Sequence, residues 1–324
     1  MNNEKWKAKL VSSSLPLEYE ILKALVLQGF AVNSDYTYQR DEQGILKDFS
    51  VDIEATAYFL NSNKITASLD LLIECKQRKK NTKWLFFPDP NLSDFSPITL
   101  GYTLRCIDEF SPTTLSTNVA IKFDKKFNAC IKGIEIDIND GNVYDSELRH
   151  GIYQLKYALP RLLVELSLHN IFSNHLNDNK PFLLCPILLT NAELFVAKRE
   201  INVSLVENAE QLKDIAEPVP WLMLYSDYGP DFKMHCKRIF QNSLSGILST
   251  QEVKNLDVLR KKHGEDDFML PSSIFNSLIK CDRFTFSRYF TQFVICSKDR
   301  FSDFTKNIKQ ISSGAIKKKK VEKM

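Results

Sequence analysis

A carboxylate and an ammonium two residues apart close an otherwise apolar run in Ser68-Leu-Asp-Leu-Leu-Ile-Glu-Cys-Lys-Gln-Arg78. Apolar residues crowd positions 69–73 and a polar, basic segment follows, which is the pattern of a strand. Strand side chains alternate between faces, so Leu69, Leu71, Ile73 and Cys75 share one face and Asp70, Leu72, Glu74 and Lys76 the other. Glu74 and Lys76 are then neighbours, about 6–7 Å apart at Cα. Upstream, Lys47-Asp-Phe-Ser-Val-Asp-Ile-Glu-Ala-Thr-Ala-Tyr-Phe59 also alternates. Phe49, Val51, Ile53 and Ala55 are expected on one face, and Asp48, Ser50, Asp52 and Glu54 on the other. The turn-like Leu60-Asn-Ser-Asn-Lys-Ile65 joins the two runs. A hairpin would set Asp52 across from Glu74, with Asp48 and Glu54 as alternatives if the register slips. Two facing carboxylates supply hard oxygen ligands for one or two divalent cations, and an amine beside them can orient or deprotonate a water. The plain competitor is an exposed ion pair at a strand end, worth about 0–1 kcal/mol.

Other elements must position these groups. Ser14-Leu-Pro-Leu-Glu opens a helix with a serine cap, an early proline and early acids, and Gly29 ends it. Glu18 fits its first turn, where a carboxylate favours the helix dipole. Phe30 to Tyr38 reads as a first strand, and Asp41-Glu-Gln-Gly44 as a turn. Residues 88–116 read as an irregular excursion, followed by short strands at Val119–Phe123 and Ile131–Ile138. Glu135 and Asp137 alternate with isoleucines and are assigned to a solvent face. Gly151 to Asn170 is the clearest later helix, with a kink expected at Pro160. Strands follow at Pro181–Thr190, Val219–Ser226 and Thr291–Ser297, with mixed helical sequence at 230–280 and a helix at 301–311.

This order of helix, three antiparallel strands, helix and strand, with Asp52 on the second strand and Glu74-Cys-Lys76 on the third, resembles the restriction-endonuclease-like nuclease superfamily, named for its PD-(D/E)xK signature. Glu18 precedes Gly29-Phe30 by about three turns, as in a subset of that superfamily, and Tyr153-Gln-Leu-Lys-Tyr157 is similar to its helix glutamine. The resemblance covers Leu15 to Lys80, and more loosely Gly151 to Thr190. It departs from the pattern in lacking a proline before Asp52 and in its long interval between Asp52 and Glu74. It implies an α/β fold with a mostly β insertion and a C-terminal α/β extension. The expected division is a nuclease-like domain over 1–230 with its insertion at about 88–148, an extension over 231–312 packed on it, and a basic tail over 313–324. It also implies a Mg²⁺ (or Mn²⁺) ion on Asp52 and Glu74, with Glu18 as auxiliary ligand. Lys76 would orient water and stabilise charge, and Gln154 would assist. The basic loop, Lys76, Arg78, Lys79, Lys80 and Lys83, would bind phosphates of nucleic acid, DNA before RNA. The alternative is a catalytically silent nuclease-like scaffold that binds nucleic acid or a protein partner, and a homodimer is compatible with either.

Composition sets the outer bounds. A net charge of +3 over 324 residues excludes a global polycation, so phosphate binding must come from local clusters: Lys76–Lys83, Lys122–Lys132 and Lys317–Lys320. The 7 cysteines include no CxxC pair and read as buried thiols of a reducing, cytoplasmic setting. His235-Cys236 has no partner ligands at metal spacing. No phosphate-cradling glycine loop is present, which argues against a motor. No apolar run is long enough to span a bilayer, so no membrane partner is expected.

Overall fold

The computed structural model describes residues 4–61, 64–91, 95–99, 101–107, 113–115, 128–172, 181–262 and 271–318. The expected strand at 119–123 and most of the Lys122–Lys132 cluster lie outside these residues. Two helices open the chain, α1 (Glu4–Ser12) and α2 (Leu15–Leu27). Leu17, Ile21 and Leu25 form the buried stripe of α2, and Pro16 stands in its first turn. Gly29, at φ +76°, stops it: Phe30 N donates to Leu25 O and Gly29 N to Val26 O, a Schellman ending whose Leu25 and Phe30 are buried in the same core cluster.

Three long strands follow: β1 (Ala31–Glu42), β2 (Ile45–Asn61) and β3 (Lys64–Lys76). Gln43 and Gly44 both have positive φ and make the two-residue turn between the first pair. The chain continues with β4 (Thr82–Pro88), and the described residues of the expected insertion at about 88–148 include the strands β5 (Arg105–Ile107), β6 (Thr113–Leu115), β7 (Ala129–Asp137) and β8 (Val143–Tyr144). The 88–116 excursion thus carries two short strands. Helix α3 (Ser146–Phe172) starts earlier than expected and continues through Pro160. Next come β9 (Phe182–Thr190), β10 (Glu193–Ala197), the short helices α4 (Val203–Glu207) and α5 (Leu212–Ile215), β11 (Ala216–Val219) and β12 (Trp221–Tyr225). Helices α6 (Pro230–Leu244), α7 (Gln251–Lys262), α8 (Pro271–Lys280) and α9 (Arg283–Phe290) lead into β13 (Gln292–Ser297). The chain closes with α10 (Phe301–Ala315) and β14 (Ile316–Lys318). The last of these pairs with β6, so Lys317 and Lys318 belong to a strand and not to a free tail.

The result is α/β, and the described residues form one mixed sheet of 12 strands in the order β1-β2-β3-β9-β13-β12-β7-β4-β10-β11, with β5 paired to β9 and β8 to β7 off this path. Strand β9 is buried at every position, as its unbroken apolar sequence requires for a strand covered on both faces. One face carries α3, α6, α8 and α9 through a core including Leu155, Leu159, Phe232, Phe240 and Phe286. The other carries α2 and α10 through Leu17, Ile21, Phe301, Phe304 and Ile308. Segment 231–312 does more than lie against the sheet, because β13 sits inside it, between β9 and β12.

Strict alternation fails in β2. Phe49 and Val51 pack with the α3 side, whereas Ile53 and Ala55 pack with the α2 side. The same change of face occurs opposite, in β1, between Val32 and Tyr36. Its cause is Asp35, whose φ of +59° lies outside the β region and turns the strand over. Asp52 stands at the corresponding point of β2, because the β1–β2 register flanks it with Ser34↔Ile53 and Tyr36↔Val51. Glu135 and Asp137 also differ from expectation. Both are buried, since α3 and the segment before it cover that face of β7.

Gly151 of α3 allows helix and sheet to meet closely. A Cβ there would stand 2.5 Å from Leu188 Cδ1 and 3.2 Å from Lys76 Cε. Gly→Ala inside a helix ordinarily stabilises by about 1 kcal/mol. Here Leu188 is fully buried, so it would have to shift within close-packed surroundings. Gly151→Ala is therefore expected to lose about 1–3 kcal/mol in denaturant unfolding. A variant as stable as the parent would show that the contact is soft.

Candidate active site

β2 and β3 pair from Asn61↔Lys64 to Ile53↔Ile73, and one further step in that register sets Asp52 opposite Glu74. There the two strands part. β3 continues beside β9 as far as Lys76↔Thr190, while β2 continues beside β1. In the fork, a side chain replaces a main-chain acceptor: Cys75 N donates to Asp52 Oδ2 at 2.6 Å. Ser14, just before α2, donates its hydroxyl to Cys75 O at 3.2 Å, which ties the helix start to the same residue. The first turn of α2, carrying Glu18, is held at the fork in this way.

Lys76 Nζ donates to Glu74 Oε1 at 2.8 Å and to Gln154 Oε1 at 3.1 Å. Gln154 Nε2 in turn donates to Ser50 O at 3.1 Å. Gln154 therefore bridges α3 to β2 and fixes the ammonium between them. Glu74 is buried, and among the described residues no well-formed hydrogen bond reaches its Oε2, with the backbone N–H of Asp52 beside the carboxylate. Thus Asp52, Glu74, Lys76 and Gln154 come together at the fork, and Glu18 stands near enough for the charges of Asp52 and Lys76 to act on it.

Electrostatics bind the group together. Burial and the Asp52 charge push the Glu74 carboxyl up to about 8, against the pull of Lys76. Burial, then Asp52 and Asp35, push Glu18 up to about 7. Asp52 is raised by burial, with Cys75 N–H and Lys76 acting the other way. A single ammonium thus faces several carboxylates that destabilise one another's charge. This is a donor set of hard oxygens, one buried atom of which has no well-formed hydrogen bond among the described residues, and it fits Mg²⁺ or Mn²⁺ in chemistry. Among the described residues, however, no three His, Cys, Asp or Glu side chains are grouped so as to hold a metal ion.

The alternative carboxylates lie elsewhere. Asp48 accepts from Gln39 at 3.1 Å and Glu54 from Asn33 at 3.3 Å, both across the β1–β2 hairpin. The basic loop departs from expectation. Arg78 is paired with buried Glu135 at 2.7 Å and faces Glu147 at 3.6 Å, and Asn191 holds its backbone N–H and C=O. Lys83 pairs with Glu193 at 2.8 Å. These two cations, and Lys76, have partners inside the protein, which leaves Lys79 and Lys80 exposed. His235 is buried, with Nε2 2.9 Å from Tyr157 O, and burial lowers it to about 4, which fits a core role.

Two nearby groups escaped the sequence reading: Asp35, whose charge acts on Glu18 and Asp52, and His150, held down by burial and by Lys76; Ser14, expected as a helix cap, makes no side-chain cap bond because its hydroxyl is given to Cys75 O. His150 precedes Gln154 by four residues on α3, a spacing that puts both on one helix face once the helix is known to contact β3. Among the described residues, no helix is long and apolar enough to cross a membrane. Comparison with known proteins returns no family model, no curated protein and no solved structure that matches the chain.

Proposed function

We propose that this chain is a divalent-cation-dependent nuclease with a restriction-endonuclease-like core, hydrolysing phosphodiester bonds, in DNA before RNA. The core is α2, the antiparallel β1–β2–β3, α3, and β9 parallel to β3. The observation that carries this reading is the meeting of Asp52, Glu74, Lys76 and Gln154 where β2 and β3 part, with Glu18 within reach of the charges of Asp52 and Lys76.

Asp52 and Glu74 would hold the ion, with Glu18 assisting directly or through water. Bound there, it would polarise the phosphate and lower the pKa of a water. Lys76 has three N–H groups, and Glu74 and Gln154 occupy two of them. The third is left to orient the attacking water or to stabilise charge building on the phosphate oxygens. Gln154 positions the amine and does not itself touch the reacting atoms.

A second reading, a nuclease-like scaffold without activity that binds nucleic acid or a protein partner, draws support from the absence of a grouped metal-ligand set among the described residues. Incubating the purified chain with plasmid, linear duplex, single-stranded DNA and RNA, in Mg²⁺ or in EDTA, separates the two. Cleavage is expected only with the cation, and Lys76→Ala should slow it roughly 10²–10³-fold. Cleavage that survives Lys76→Ala unchanged removes the assignment of the site, and binding without cleavage of any of these substrates favours the silent scaffold.

A further inference from the structure

The fork leaves few cations of the basic loop free for substrate, yet a polyanion needs a cationic surface near the place where it is cut. Such a surface is present on the helices that Ser14 ties to Cys75. Ser14, which donates to Cys75 O, joins α1 to α2, and both helices carry lysine and aromatic side chains outward. Trp6 is 56% exposed and Tyr19 64% exposed, and Leu10, Leu15 and Val26 are exposed beside them. At about 100° per residue, Trp6 and Leu10 fall on one stripe of α1, with Lys5 and Lys9 along one flank and Lys7 along the other. Each exposed ring has an ammonium over it: Lys7 Nζ stands 5.9 Å from the centre of Trp6, and Lys23 Nζ 4.8 Å from the centre of Tyr19. Among the described residues, none of Lys5, Lys7, Lys9 and Lys23 is in an ion pair with a carboxylate. Contrast the inner face of α2, where Leu17, Ile21 and Leu25 are buried.

We infer that α1 and the outer face of α2 form a docking surface for a single-stranded stretch of nucleic acid. Trp6 and Tyr19 stack bases, and Lys5, Lys7, Lys9 and Lys23 pair with the phosphates between them. A duplex keeps its bases stacked on one another and cannot offer their faces to two side-chain rings, which is why the strand is single. A ring with an ammonium at its face presents both parts of a nucleotide's recognition together: the ring for the base and the charge for the phosphate. The assignment rests on the nuclease reading only in placing this surface beside a cutting site.

The test uses the full chain in EDTA, so that binding is measured whether or not the chain cleaves. Trp84 is buried and the ring of Trp221 packs on Phe304, so Trp6 is the indole that a ligand reaches most directly. Adding single-stranded DNA or RNA oligonucleotides should quench tryptophan emission, and duplex of the same length should quench it far less. Trp6→Ala should weaken single-strand binding about 10-fold by fluorescence anisotropy, and Trp6→Phe should recover most of the loss. Replacing Lys5, Lys7 and Lys9 together with alanine should reduce the slope of log K against log salt by about 2. Affinity and salt slope unchanged in these variants would overturn the proposal. So would an emission change with vesicles of anionic lipid and none with oligonucleotides. Quenching and salt dependence as described, in a chain that cleaves nothing when Mg²⁺ is restored, would support this surface and reject the nuclease reading alone.

Discussion

Glu74→Gln should yield a protein that no longer cleaves and yet unfolds less readily than its parent at alkaline pH. Glu74 is buried beside Asp52, and its carboxyl is raised to about 8 from an ordinary value of 4.5. A carboxyl raised on folding keeps its proton in the native state over a range where the unfolded chain has already lost it. Stability therefore falls as pH rises from about 4.5 to about 8, and above that range the full penalty of the buried charge is present. Glutamine has nearly the same shape and no charge to bury. The variant should match its parent near pH 5 and gain on the order of 1–3 kcal/mol at pH 8.5, partly offset by the weaker partner it offers Lys76. Catalysis should fall by roughly 10³-fold or more, because a neutral amide is a poor ligand for a hard dication. Urea midpoints at the two pH values and a cleavage assay read both effects. A variant that cleaves normally, or one without a pH-dependent gain, would remove Glu74 from the centre of the site.

Divalent cation binding should release protons and tighten steeply with pH. Glu18 at about 7 and Glu74 at about 8 hold protons near neutrality, and ligation requires both to be ionised. Affinity for Mn²⁺ should rise between about 10- and 100-fold per pH unit below pH 7, according to whether one or two protons leave, and level off above pH 8. Cation at 100 times its dissociation constant should add about 2.7 kcal/mol of stability, and EDTA should remove it. Calorimetry in two buffers of different ionisation enthalpy counts the protons. Asp52→Asn should abolish both the heat and the stabilisation, and an unaltered titration in that variant would place the ion elsewhere.

Local patterns in the chain were legible where local rules govern them. Glu74 and Lys76 are neighbours because a strand repeats every two residues, and Gly29 ends α2 because the turn it makes needs a positive φ. The run at 182–190 is buried throughout because nothing polar interrupts it. Alternation misled in β2, where Asp35 in the neighbouring strand breaks the β conformation and two runs change face together. Aspartate tolerates that conformation better than most residues, but nothing in its sequence neighbours announces it. The basic loop misled for another reason. Lysine and arginine after a site strand resemble phosphate ligands until tertiary structure brings Glu135, Glu147 and Glu193 to them from more than fifty residues away. Charge found in a sequence is a supply of partners, and only the fold decides who takes them.

The place of β13 bears on how the chain is made. Residues 292–297 lie between β9 and β12, so each of those strands waits with one edge open until a segment about a hundred residues after β9 has been made. Strand edges this apolar invite mispairing during synthesis, and long-range closure of this kind is slow. A product truncated ahead of residue 292 would lack a strand through the middle of the 12-stranded sheet, and it should be a client for chaperones or proteases and not a smaller working version of the molecule.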